Sequence, residues 1–249
     1  MNAEKTALPE IDIPYVKQAC SNCIMRELCL PVALASNVLD KLDELVYLRK
    51  RFKAGTHIYH AGNNFHYLYA VRSGFVKLET LNEDGREQVT GFYMMGEILG
   101  FDGIATDQHM CTAVALEDSE LCVIPFDRIE HVGQEMEHLH HHFYMLMSRE
   151  IVRDHTMMML LSGMQGDARI AAFILNLSQR FHERGYSSYD LVLRMKREDI
   201  GSYLGMKIET VSRVLTKFRD QGLLEVHQKH VRILDMNGLQ KLVGHHPCK

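Results

Sequence analysis

Three thiols stand close together near the start of the chain: Cys20, then two residues, Cys23, then five residues, Cys29. Thiolates ligate zinc and iron–sulfur clusters, and both kinds of centre ordinarily ask for four ligands. No histidine lies inside the span, so the fourth ligand must come from elsewhere; Cys111, Cys122 and Cys248 are the remaining cysteines. In Glu120-Leu121-Cys122-Val123-Ile124 the alternation of a strand puts Leu121 and Val123 on one face and Cys122 on the other. A strand thiol of this kind can close a site begun by an N-terminal arm. Cys248 falls in a polar tail and is the weakest candidate, and Cys111 reads as a small buried apolar residue. Structural zinc sites more often pair two short Cys-x2-Cys knuckles. The spacing here leans toward an iron–sulfur cluster and leaves zinc, or ordinary thiols, open.

A second segment carries chemistry of another kind. Arg197 to Leu204, a glycine at 205, and Ile208 to Asp220 read as helix, tight turn, helix, with Gly222 beyond the second helix where a C-terminal glycine belongs. In such a motif the second helix enters the major groove and shows its N-terminal residues to base edges. Ile208, Val211, Val214, Leu215 and Phe218 form the expected buried stripe, which leaves Glu209, Thr210, Ser212, Arg213 and Lys217 outward. Arginine can bond both acceptors of guanine and glutamate can accept from the cytosine amine. Residues 196–232 hold eight basic and five acidic side chains in a chain whose formal net charge is −4. A basic module inside an acidic chain suits a local grip on DNA and excludes a surface that is basic all over.

These two segments need a scaffold. Residues 1–30 lack a clear apolar period and form an arm organised by its cysteines. Residues 31–135 read as mostly β, a sandwich or jelly roll. A short helix is expected near Pro31–Leu45, then strands at Thr56–His60, Tyr67–Arg72, Phe75–Leu81, Gln88–Met94, Thr112–Ala115 and Glu120–Pro125. Asp84-Gly85 is a hairpin signal between two of these. Residues 136–164 continue a helical stretch that starts near Asp127, and residues 165–249 form a winged helix-turn-helix. Within it, Ala168–Arg184 reads as an amphipathic helix. Leu224–Val226 and Val231–Leu234 form the hairpin of the wing. The fold class expected is α+β.

The long helix has two apolar stripes. Met147, Ile151, Met158 and Leu161 define a seam of the coiled-coil type, and Leu139, Phe143, Leu146, Met157 and Leu160 a second face. Two stripes call for two partners, of which one is the helix's own domain and the simplest other is a second copy of the chain. Asp154 falls in the seam. Either it tilts out to solvent, or it opposes its copy across the two-fold axis and keeps the homodimer weak.

Other features are read more plainly. His138, His140, His141 and His142 crowd one stretch, where His138 and His142 are one turn apart; a solvated face is the expectation. The 15 methionines, with Met157-Met158-Met159 among them, are read as packing. No base–nucleophile pair or phosphate loop is evident, so no enzyme is expected. No apolar run approaches the about 18–20 residues that cross a bilayer, and no export signal is seen, which makes the cytoplasm the expected compartment and reduced thiols the expected state.

With both segments on the page, the chain resembles the fumarate and nitrate reductase regulators, the oxygen-sensing branch of the CRP/FNR family. The resemblance runs from about Cys20 to about Leu242 and rests on Cys20, Cys23, Cys29 and Cys122 together with Glu209-Thr210-Val211-Ser212-Arg213. It implies a [4Fe-4S] cluster on those four cysteines, converted by oxygen to a [2Fe-2S] form with loss of the dimer, and attacked by nitric oxide as well. It implies a homodimer on a DNA palindrome of TTGAT-like half-sites, with base contacts from Glu209, Ser212 and Arg213, and RNA polymerase as partner of an activator. Gly85 and its neighbours could touch that polymerase. The cyclic-nucleotide branch of the family holds its ligand's phosphate with an Arg followed by Ser or Thr. Here the corresponding segment reads Met110-Cys111-Thr112-Ala113, so no cyclic nucleotide is expected. A haem-dependent branch could recruit His66 or Cys111 but would not require the arm cysteines. The competing reading is a zinc-dependent or constitutive regulator of the same family.

Overall fold

Short apolar runs divided by turn residues can bury themselves only by pairing sideways, and they do so in two antiparallel sheets. The computed structural model describes residue 29 and residues 48–81, 85–129 and 137–244. The strands are β1 (Leu48–Phe52), β2 (His57–Tyr59), β3 (Tyr67–Ser73), β4 (Phe75–Leu81), β5 (Glu87–Met94), β6 (Ile98–Leu99), β7 (Thr112–Ala115) and β8 (Ser119–Pro125). One sheet runs β1-β8-β3-β6 and the other β2-β7-β4-β5. Val71, Leu99 and Leu121 from the first meet Val76, Leu78 and Ala113 from the second in a shared core. β4 and β7 occupy the expected ranges, and β4 pairs with β5 as the hairpin signal called for, Asp84 itself lying outside the described residues. Two strands were not expected. β1 carries three basic residues in five, and β6 is two residues long.

The helix expected at Pro31–Leu45 lies outside the described residues, as do Cys20, Cys23 and Cys248. Of the long helix, residues 126–129 are helical, and α1 runs Glu137–Gly163. α2 (Gly166–Glu183) follows after a short break.

The C-terminal unit holds α3 (Arg197–Leu204) and α4 (Ile208–Asp220), both with the expected bounds. Two glycines make their turn possible. Gly205 takes φ +62°, and a Cβ on Gly201 would lie 2.6 Å from the Met206 carbonyl oxygen. Asp199 caps α3 by accepting from the Lys196 backbone N–H at 2.9 Å. The wing is β10 (Leu224–His227) and β11 (His230–Ile233), with a third strand, β9 (Asp190–Val192), added outside β11. A last helix, α5 (Met236–Val243), was not expected; Asp235 caps it by accepting from Gly238 N–H. Val211, Val214, Leu215 and Phe218 are buried as expected. Ile208 is not: it is 38% exposed, because the first position of α4 projects ahead of the turn that the other four residues bury. The architecture is a β-roll, a long helix and a winged helix-turn-helix, α+β overall.

Candidate functional site

The recognition face forms on α4 because its buried stripe fixes which way the helix is turned. Glu209 and Arg213 are exposed, and Ser212 is half-buried at their side. The Ser212 hydroxyl accepts from the Arg197 guanidinium at 3.2 Å, which ties α4 to the first residue of α3. Lys217 is exposed one turn beyond Arg213 and pairs with Asp167 at 2.5 Å. The face thus presents a carboxylate, a hydroxyl and a guanidinium at the N-terminal half of the helix, a set able to read base edges.

At the cysteine site, Cys122 lies on β8, where Ala70 of β3 and Arg49 of β1 are its cross-strand neighbours. Its side chain is 8% exposed and belongs to an apolar cluster with Phe65, Leu68, Ile124 and Leu146. Cys29 packs against that same cluster, as does Phe143 of α1. Two thiols far apart in sequence therefore meet one apolar surface, beside the long helix. Cys111 packs elsewhere, against the core between the sheets. Burial, then the Asp102 carboxylate, push its thiol up to about 11, so it is a poor thiolate ligand at neutral pH. Among the described residues, no three His, Cys, Asp or Glu side chains gather as a metal site. A four-cysteine centre would complete itself with Cys20 and Cys23, and the Cys29–Cys122 pairing on one surface fits such a group.

On α1 the two stripes differ in burial at the helix's middle and not at its ends. Leu146 is buried, and Phe143 and Met157 pack against the protein's own core. Ile151 is 55% and Met158 58% exposed, with Met147 and Leu161 half-buried at the seam's ends and Asp154 exposed between them. His141 is exposed, while the side chains of His138, His140, His142 and Leu139 lie outside the described residues. No described helix is long and apolar enough to cross a membrane.

Sequence reasoning missed the joint between the two domains. Glu97 accepts from Arg180 and Arg184 of α2 at 2.6 and 2.8 Å. Lys77 donates to Asp199 of α3 at 3.0 Å, and the Ser202 hydroxyl accepts from Val89 N–H at 2.8 Å. The Arg-x-x-x-Arg spacing at 180 and 184, one helical turn apart, was the available signal.

A β-roll joined through a long helix to a winged helix-turn-helix defines a DNA-binding transcription regulator rather than an enzyme. Residues 168–242 match the Crp-like helix-turn-helix domain and residues 49–135 the cyclic nucleotide-binding domain. The chain is 44% identical to the transcriptional regulatory protein btr of Bordetella pertussis, over 92% of this chain and 95% of that protein. It is 41% identical to the fumarate and nitrate reduction regulatory protein of Escherichia coli, over 91% and 90%. FixK2 from Bradyrhizobium japonicum superposes with a TM-score of 0.73 at 25% identity, over 78% of this chain and 96% of that one. The chain belongs to the CRP/FNR family of transcription regulators, which bind DNA as dimers.

Proposed function

We propose that this regulator senses oxygen through a [4Fe-4S] cluster held by Cys20, Cys23, Cys29 and Cys122, and binds its operator as a homodimer when that cluster is intact. The observation that carries the reading is the meeting of Cys29 and Cys122 on one apolar surface that also takes Leu146 and Phe143 of α1. When bound, the cluster supplies a redox-labile centre whose loss frees four thiols. The chain's own residues do the rest. Cys29 ties the arm to the β-roll, and the shared surface settles the pose of α1. Met147, Ile151, Met158 and Leu161 then pair with the second copy. Glu209, Ser212 and Arg213 read base edges in each half of a palindrome of TTGAT-like half-sites, and RNA polymerase is the partner at activated promoters. Cyclic nucleotides are not the signal: the Glu97 carboxylate is committed to Arg180 and Arg184, and Cys111 offers a phosphate no charged donor.

The test is to purify the protein without oxygen, record its visible absorption, and admit air while following binding to a palindromic duplex. Absorption and binding lost together support the reading. A colourless protein that binds DNA in air overturns it, and zinc or no metal at the cysteines then becomes the account.

A further inference from the structure

The DNA-binding unit touches the rest of the protein along two routes, and they differ in kind. Toward α1 the fit is loose: a cavity of ≈ 810 Å³ lies there, with Leu146, Arg153 and Met157 on one side and Ala172, Phe173 and Tyr203 on the other, and Glu97, Arg180 and Arg184 form part of its wall. Toward the β-roll the fit is tight. Phe75, Val89, Phe92 and Met94 of the second sheet share one continuous core with Ile174, Leu177, Ile200 and Leu204 of the DNA-binding unit.

Glu97 sits where the two routes meet, at the wall of the cavity and beside the shared core. Its carboxylate receives Arg180 at 2.6 Å and Arg184 at 2.8 Å, and it also accepts from the Met94 N–H at 2.9 Å. The two guanidiniums reach further into the same turn, Arg180 to the Phe92 carbonyl at 2.7 Å and Arg184 to the Met95 carbonyl at 2.5 Å. The Arg184 side chain is 5% exposed. The backbone under Glu97 is fixed in turn to β3: Val71 N–H donates to the Glu97 carbonyl and Gly96 N–H to the Val71 carbonyl, both at 2.8 Å. One residue along, Ala70 faces Ile98 on one side and Cys122 on the other. A single row across the first sheet therefore runs from the buried thiol to the residue next to Glu97.

We propose that Glu97 is a positioning residue for DNA recognition: through Arg180 and Arg184 it sets the angle at which each DNA-binding unit is mounted on its β-roll, and hence the separation of the two recognition helices in the dimer. Planar guanidiniums held on two sides of one carboxylate resist rotation in a way that an apolar contact does not. Removing the carboxylate leaves two buried cations facing a turn of carbonyls, and the end of α2 is released while the shared core persists. A dimer reads half-sites at one fixed separation, so a loosened mount shows first as lost preference for that separation. The inference rests on DNA binding by a dimer and is independent of the group held at Cys122.

The experiment selects duplexes from a random pool with the wild-type protein, under whichever oxygen condition gives binding. Affinity is then measured for the selected palindrome and for versions with one base pair added or removed between the halves. Glu97→Gln is compared with wild type after both are shown to have the same helix content and the same dimerisation constant. The expected result is weaker binding to the selected site by roughly tenfold, with a smaller penalty for altered spacing than wild type pays. If Glu97→Gln does not fold, Arg180→Gln, which keeps the Arg184 pair, carries the same prediction at reduced size. Unchanged affinity and unchanged spacing preference in a folded variant overturn the inference alone. A uniform loss of affinity at every spacing also overturns it, since that is what a purely structural role gives. If the wild-type protein selects no duplex, the DNA-binding reading fails and takes this inference with it.

Discussion

The Arg153 guanidinium lies over the Tyr93 ring, 4.2 Å from its centroid, and the Tyr93 hydroxyl donates to Glu150 at 3.0 Å. Glu150 and Arg153 are one turn apart on α1, and they also pair with each other. This three-residue contact fastens the middle of the long helix to β5. Because Tyr93 is buried, the cation–π term acts away from water, where it is strongest. Tyr93→Phe is expected to lose only the hydroxyl bond, about 1 kcal/mol. Tyr93→Leu is expected to lose the ring as well, about 1–2 kcal/mol more. Urea unfolding of the three proteins measures both steps, and equal stability of Phe and Leu variants would remove the cation–π contact from the account.

Asp154 is exposed on α1 with Ile151 and Met158 exposed on either side. Two such carboxylates brought together at a two-fold axis repel while the flanking apolar residues attract. Asp154→Ala is therefore expected to dimerise as apoprotein, in air, at micromolar concentration where the wild-type apoprotein is expected to stay monomeric. Sedimentation equilibrium reads this directly. A monomeric Asp154→Ala apoprotein means that the carboxylate tilts to solvent and does not weaken the seam.

Arg213 and Glu209 carry base contacts in this reading, and both are exposed on the same half of α4. Alanine at either position is expected to cost about 1–3 kcal/mol of operator binding and to relax discrimination at one base pair per half-site. Lys217→Ala is expected to weaken binding evenly across sequences, as a phosphate contact does. Arg197→Ala frees the Ser212 hydroxyl and is expected to reduce sequence preference more than non-specific affinity. Competition against a panel of single-base operator variants separates these patterns.

The helix-turn-helix was legible because everything that makes it is local. The glycine at 205, the stripe from Val211 to Phe218 and the following hairpin all lie within one short stretch, and α3 and α4 came out with the bounds their sequence suggested. The strands with alternating apolar residues were legible for the same reason. What escaped was set by partners distant in sequence. β9 has three residues and exists because β11 offers it an edge, and β6 has two and exists because Ala70 and Tyr69 do. Neither carries enough periodicity to announce itself. Ile208 matched the apolar period of α4 yet stands exposed, since periodicity gives a face and not where its cover ends. The cysteine site was legible by residue type and by strand alternation at Cys122. Spacing alone left Cys111 and Cys122 both open as partners of Cys29; the resemblance chose Cys122, and the fold puts Cys29 and Cys122 on one surface with Cys111 on another.

The Glu97 clamp also makes a prediction about acid. Burial alone would raise the Glu97 pKa, but Arg180, then Arg184 and the nearby Arg153, hold it below its ordinary value of 4.5. A carboxyl whose folded pKa is depressed contributes stability that is fully present above the unfolded value and is lost as pH falls through the folded one. Docking of α2 on the β-roll is thus expected to persist through mildly acidic pH and to fail below the ordinary carboxylate range. Glu97→Gln has no such proton to take up, so its stability is expected to fall less steeply than wild type on the acid side of pH 4.5, from a lower starting point. Thermal unfolding from neutral to acid pH, wild type against Glu97→Gln, gives the two slopes. Parallel slopes would show that the carboxylate titrates alike in folded and unfolded chains, and that the two guanidiniums do not hold it.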